Sequence, residues 1–120
     1  MDVPTRKKVE NVLNKLSLKR LKIKSERELE LTIWGLLSGR WNELLQFRKM
    51  YGGREADISL GEMPVEIKFI KNMKDKDRCV GQVLDYLNEA NEVIVIAIDD
   101  KEYLKPSTLC KLENVSVIIV

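Results

Sequence analysis

At 120 residues, with 44% hydrophobic and 33% charged side chains, the chain has the size and apolar content of one modest globular domain and is too apolar to be disordered. Its 21 Lys and Arg against 19 Asp and Glu leave a formal charge of only +2, and it contains no histidine. Ser-His and Cys-His couples, histidine-bearing zinc sites and a histidine general base are therefore excluded, so catalysis would fall to carboxylates, lysine, tyrosine or a bound metal.

Cys79 and Cys110 are the only cysteines and form no CxxC pair, which excludes an iron-sulfur cluster or zinc ribbon within one chain and suits reduced thiols. The first residues carry no apolar leader, and the longest strongly apolar run, Val93–Ile98, is too short to cross a bilayer. A cytoplasmic protein with no membrane partner is expected.

In chain order, residues 1–24 hold eight basic side chains and two acids, a net of +6, which leaves −4 for the remainder. Val9, Val12, Leu13 and Leu16 recur at helical spacing, so residues 4–16 read as an amphipathic helix in a basic arm packed on a domain of residues 25–120. Ser25 caps a second helix, with Glu28 three places on and an apolar stripe of Leu29, Ile33, Trp34, Leu36 and Leu37 before Gly39 ends it. Residues 41–50 suit a helix turn or an irregular strand, with strand preferred, and Gly52-Gly53 forces a turn.

Residues 56–60 and 64–70 are two strands around Gly61-Glu62, a hairpin signal. A lysine-rich loop leads to a helix over 76–90, a doubly buried strand over Val93–Ile98, a short helix over 106–112 and a last apolar strand over 115–120, parallel to its predecessor. The class is α/β.

Alternation in the strand Val65-Glu66-Ile67-Lys68-Phe69 sends Glu66 and Lys68 to the face opposite Val65, Ile67 and Phe69. A two-residue turn at Gly61-Glu62 sets Asp57 opposite Glu66, and a four-residue turn sets it opposite Lys68; both put the three side chains on one face. Two carboxylates on adjacent strands begin a hard oxygen-ligand site for Mg²⁺, and a lysine beside them can orient water or offset negative charge. The plain reading of the same trio is an exposed ion-pair ladder on a half-buried sheet.

Asp57, then Glu66-Ile67-Lys68 on the next strand, then a helix bearing Gln82, resembles the PD-(D/E)XK nuclease superfamily of restriction-endonuclease-like fold. Gln82-Val83-Leu84-Asp85-Tyr86 is similar to the QxxxY helix of its RecB-like branch, and Ser25-Glu26-Arg27-Glu28-Leu29-Glu30 to the helix start of archaeal Holliday-junction resolvases. The resemblance covers roughly residues 25–98. It departs from the pattern in having Ala56 where proline is frequent, and in lacking the cysteine quartet of the iron-sulfur members.

What the resemblance implies is a mixed β-sheet flanked by helices, an αβββαβ core with an extra N-terminal helix, and a metal-dependent nuclease cutting DNA as an endonuclease, with junction resolution among its options. Asp57, Glu66, the main-chain carbonyl of Ile67 and Glu26 would hold Mg²⁺ or Mn²⁺, with Glu30 the alternative helix carboxylate. Lys68 would position water, Gln82 would orient Lys68 or the nucleophile, and Tyr86 joins the nucleic-acid contacts.

Backbone phosphates would be met by Lys7, Lys8, Lys15, Lys19, Arg20 and Lys22 in the arm and by Lys71, Lys74, Lys76 and Arg78 after the catalytic strand. The seven aromatics show no stacking platform in sequence, so shape or backbone recognition is expected. The apolar last strand offers an edge that either a second copy, as a homodimer, or the N-terminal helix would cover. Two other classes remain open: a catalytically silent nuclease-fold module that binds nucleic acid or protein, and a small α/β interaction protein with a coincidental E-x-K ladder.

Overall fold

The computed structural model describes residues 2–19 and 22–120, the backbone alone at 17–19. Helix α1 (Arg6–Lys19) begins where the Thr5 hydroxyl accepts the Lys8 amide at 3.2 Å, so Pro4 precedes the helix instead of standing in its first turn. Helix α2 (Glu26–Trp41) is capped by Ser25, whose hydroxyl accepts the Glu28 amide at 3.1 Å, while the Glu28 carboxylate reaches back to the Lys24 amide. Gly39 does not end it. The helix runs on to Trp41, whose buried ring joins the core and outweighs the local preference for a stop.

A 3₁₀ turn (Asn42–Leu44) leads into β1 (Leu45–Phe47), β2 (Met50–Tyr51), β3 (Arg54–Glu55), β4 (Ile58–Leu60) and β5 (Met63–Phe69). Helix α3 (Met73–Tyr86), β6 (Val93–Ile98), a 3₁₀ turn (Thr108–Lys111) and β7 (Val115–Ile119) complete the order. α3 starts before the expected residue 76 because Asn72 caps it, accepting the Asp75 amide at 2.8 Å, so most of the lysine-rich stretch is the helix's first turn.

Five strands form one mixed sheet in the order β1-β4-β5-β6-β7, antiparallel across β1, β4 and β5 and parallel across β5, β6 and β7. α1 and α2 cover one face, where Val9, Leu13, Leu16, Leu29, Ile33 and Leu37 meet Ile58, Val65, Ile67, Ile94, Ile96 and Ile118. α3 and the 99–112 segment cover the other, where Cys79, Val83, Tyr86, Leu104 and Leu109 meet Val93, Val95 and Ala97. Four α1 side chains are buried in the common core, so this segment is a layer of the domain. It packs against β6, β7 and α2. No helix of the described residues is long and apolar enough to cross a membrane.

A kinked hairpin and the carboxylates it gathers

β1 and β2 form one arm of a long hairpin, and β3 and β4 form the other. Leu45 opposes Leu60, Phe47 opposes Ile58, Met50 opposes Glu55 and Tyr51 opposes Arg54, a single register on either side of an interruption. Gly52 and Gly53 make the tip with φ of 57° and 78°, the left-handed pair that a two-residue turn requires. The interruption falls at Arg48 and Asp57. Arg48 is itself left-handed at φ 57°, and its amide reaches the Asp57 carbonyl at a long 3.4 Å.

Beyond this kink the tip swings off the main sheet onto α3. Arg54 Nε meets Asp85 at 2.5 Å, Tyr51 packs edge-on to Tyr86 at 6.4 Å, and Gly52 lies so close to the Asp85 carbonyl that a Cβ would stand 2.1 Å from it.

The kink ends β4 at Ile58 while β5 continues to Phe69, leaving the β5 edge open over residues 66–69. The Gly61-Glu62 turn is of the two-residue kind, with Gly61 at φ 64° and Leu60 opposite Met63, so Asp57 is set opposite Glu66. Two carboxylates occupy the open edge. Asp57 Oδ2 accepts the Ile67 amide at 3.2 Å, and Glu26 Oε1, from the start of α2, accepts the Phe69 amide at 3.0 Å. In a strand the amide and carbonyl of one residue point to the same side, so the Ile67 carbonyl faces this edge between the two capped amides.

Glu66 is 1% exposed, which overturns the plain reading of an exposed ladder. Its Oε2 accepts the Tyr86 hydroxyl at 3.0 Å and lies 3.9 Å from Lys68 Nζ. Burial first, and then the Asp57 carboxyl beside it, push the Glu66 carboxyl up to about 8, against the opposing pull of Lys68 and Tyr86. The Tyr86 phenol is driven up by the same burial and by Glu66. Burial and the Glu66 charge likewise raise the Cys79 thiol to about 12, which leaves it an inert packing group.

The other expected residues divide. Gln82, one turn before Tyr86, lines a polar depression of about 520 Å³ with Gly52, Gly53, Arg54, Glu55 and Asp85, and its buried Oε1 has no hydrogen-bond partner. Glu26, and not Glu30, is the helix carboxylate that bonds the β5 edge, while Glu30 has a loose 3.9 Å contact with Arg27. Tyr86 is not a nucleic-acid contact: it is fully buried, its hydroxyl directed at Glu66 and the Glu55 carbonyl, and its role is to hold Glu66. Among the described residues no three acidic or thiol side chains converge as a metal-holding group, so Glu26 stands apart from the Asp57 and Glu66 pair.

Lys71, Lys74 and Arg78 are exposed around the start of α3, directly after the open end of β5, whereas Lys76 is paired with Asp77 at 2.5 Å. Lys7 and Lys8 stand in the first turn of α1, where Arg6 bonds Glu92 at 3.1 Å just before β6 and Lys8 is engaged by Asp2 at 3.0 Å. The Lys19 side chain and Arg20 lie outside the described residues.

Sequence reasoning missed the kink at Arg48 and an aromatic pair beside it, Trp34 and Phe47, whose rings stack at 3.7 Å and 8°. The near-symmetric flanks of Gly52-Gly53 were the available signal for the long hairpin. Cavities of about 350 Å³ by residues 38–44 and about 410 Å³ between residues 60–63 and 89–92 touch none of Asp57, Glu66 and Lys68. Compared with protein-family models, with characterised proteins and with solved structures, the chain finds no match.

Proposed function

We propose that the chain is a metal-dependent nuclease of the PD-(D/E)XK superfamily that hydrolyses phosphodiester bonds in DNA as an endonuclease, with branched or otherwise irregular DNA among its substrates. The observation that carries this reading is the abutting pair Asp57 and Glu66, with Lys68 3.9 Å from Glu66, at the one stretch of β5 edge that the kinked hairpin leaves open. The order α2, β1, β4, β5, α3, β6 supports it, because it follows an αβββαβ core with α1 as the additional helix and β7 as a further strand.

The residues present fit a divalent cation. A carboxylate raised to about 8 by burial first and by a second carboxylate beside it favours a positive charge or a proton between them, and the Ile67 carbonyl adds a hard oxygen at the same edge. Asp57, Glu66 and the Ile67 carbonyl would hold Mg²⁺ or Mn²⁺, with Glu26 within the same edge as an outer partner. Such an ion supplies Lewis-acid activation of a phosphate oxygen and of water.

The chain's own groups have separate tasks. Tyr86 fixes the orientation of Glu66 by its hydroxyl. Lys68 carries positive charge to the place where negative charge develops on the phosphorus oxygens. Gln82 offers an unpaired acceptor that can hold the Lys68 ammonium or a water. Lys71, Lys74 and Arg78 neutralise backbone phosphates without reading bases.

A panel of single-stranded, duplex, flap, four-way-junction and RNA substrates with Mg²⁺ or Mn²⁺ tests the reading. Cleavage lost in Asp57→Asn, Glu66→Gln and Lys68→Met is the expected result, and cleavage surviving all three overturns it. A second reading, a silent module of the same fold that binds nucleic acid or protein, draws on the fact that Asp57, Glu26 and Glu66 each already serve a backbone amide or a tyrosine. Retained DNA binding with no cleavage in any arm of the panel would favour it.

A further inference from the structure

We infer that Trp34 and Phe47 form a stacking platform for an unpaired nucleobase, so that the strand presented to Asp57 and Glu66 is a single-stranded or frayed one. This rests on the phosphodiester-cleaving reading above and adds its substrate class.

The two rings lie 3.7 Å apart and within 8° of parallel, and Phe47 keeps 46% of its surface exposed. A side chain whose task was only to close the core would turn that area inward, as Leu45 does two residues earlier on the same face. Phe47 opposes Ile58, the residue after Asp57, and stacks on α2, so the platform lies beside the open edge on the α2 face of the sheet, with Glu66 on the α3 face.

Cations flank it. Arg48, next in the chain, is exposed and forms no ion pair among the described residues. Arg27 lies two helical turns before Trp34 on α2, with exposed Leu31 between them, and its side chain is 68% exposed despite the loose 3.9 Å contact with Glu30. A flat apolar surface between two guanidinium groups matches the alternation of a nucleic-acid strand, whose bases are planar and apolar-faced and whose phosphates are anionic. A protein segment of apolar side chains would use the flat rings but leave the cations without anions.

Stacking is tolerant of sequence, which agrees with recognition by shape and backbone. It also requires that the base be out of a duplex, because a paired base presents only its edges to a side chain outside the helix.

The test uses the full chain in EDTA, so that binding is read without cleavage. Trp41 is 3% exposed, whereas Trp34 is partly buried against the core beneath the exposed Phe47, so a base stacking on the platform quenches Trp34 emission more than Trp41 emission. A dT oligonucleotide of about a dozen residues should quench saturably, a duplex of the same length should bind at least about tenfold more weakly, and Phe47→Ala should weaken the oligonucleotide by about fivefold to a hundredfold. Phe47→Tyr should restore binding to within about twofold, since it keeps the ring.

Where Phe47→Ala loses its far-ultraviolet dichroism, Arg48→Ala with anisotropy of a labelled oligonucleotide replaces it, and a reduced salt dependence is expected. Equal binding of duplex and single strand, an unaffected Phe47→Ala, or quenching by a leucine-rich amphipathic peptide and not by dT overturns the platform. Quenching and Phe47 dependence without cleavage in Mg²⁺ upholds the platform and removes the nuclease reading; cleavage without quenching does the reverse.

Discussion

The buried Glu66 makes the folding stability of this protein depend on pH. In the unfolded chain the carboxyl titrates at its ordinary value of 4.5, and in the fold burial and Asp57 move it to about 8. Between those values the folded state holds a proton that the unfolded state has released, so stability is highest below pH 4.5 as far as this group is concerned and falls as pH rises towards 8. At 1.36 kcal/mol per unit the loss between pH 5 and pH 7 is about 2.5 kcal/mol, which for a chain of this length is a fall of about 10 °C in Tm.

Glu66→Gln keeps the shape and the acceptor for the Tyr86 hydroxyl but has no proton to lose. The assay is thermal unfolding of wild type and Glu66→Gln across this range, read as the difference between the two, so that all other titrating groups cancel. The gap should open in favour of the variant as pH rises. Under the metal reading, Mg²⁺ at about pH 8 should raise the wild-type Tm and leave the variant where it is, because the cation takes the proton's place between two carboxylates. Parallel curves for the two proteins would refute the reasoning: Glu66 would then be ionised in the fold and the contact with Asp57 would be broken in solution.

Tyr86→Phe removes the hydroxyl that faces Glu66 and the Glu55 carbonyl, and should lower the urea-unfolding free energy by about 1 to 2 kcal/mol; no loss would mean that the tyrosine does not hold Glu66. Gly52→Ala drives a Cβ to 2.1 Å from the Asp85 carbonyl at a φ of 57°, so the hairpin tip must lift from α3, with a loss of about 2 kcal/mol or more and faster amide exchange in residues 50–55. Gly53→Ala, with no atom within 4 Å of the new Cβ, should lose only the backbone term of about 1 kcal/mol. Leu13→Ala tests whether α1 is a core layer: denaturant unfolding should lose about 2 to 5 kcal/mol, and a loss below about 1 would return the segment to a peripheral arm.

That Asp57, Glu66 and Lys68 share a face was legible because both turn lengths at Gly61-Glu62 give it, whereas the choice of Glu66 over Lys68 as the residue opposite Asp57 came from the two-residue turn of the fold. What closes over Glu66 was not legible. Alternation assigns Glu66 to a face, yet the burial of that face depends on α3 and on the swung hairpin tip, both contributed by distant segments. The start of α3 escaped detection because apolar periodicity begins later than the helix, and the signal lay in a single cap, Asn72. The strand preferred for residues 41–50 is confined to Leu45–Phe47 and Met50–Tyr51, because its extent is set by pairing with 58–60 and 54–55, a non-local choice. The basic arm divides for a related reason. A charge count treats residues 1–24 as one patch, whereas Arg6 is paired with Glu92 and Lys8 with Asp2.

Three unfavourable features meet within a few residues of one another: a left-handed Arg48, an interrupted ladder between β1–β2 and β3–β4, and a buried glutamate beside a second acid. Each would be easy to remove. A glycine at position 48, a continuous hairpin or a glutamine at position 66 satisfies the same core, and elsewhere, apart from a left-handed Glu102 in the turn after β6, the chain follows its local rules, with capped helices at Ser25 and Asn72 and glycines at the two hairpin turns. The three are also linked. The left-handed residue breaks the ladder, the break ends β4 one residue after Asp57, and the shortened β4 exposes the edge where Asp57 meets Glu66 and Ile67. Strain in a sequence that is otherwise consistent gathers where something besides stability is being served. In this fold it converges on two carboxylates, a lysine and an open strand edge, the arrangement through which a polyanion and a divalent cation could be brought together without a histidine.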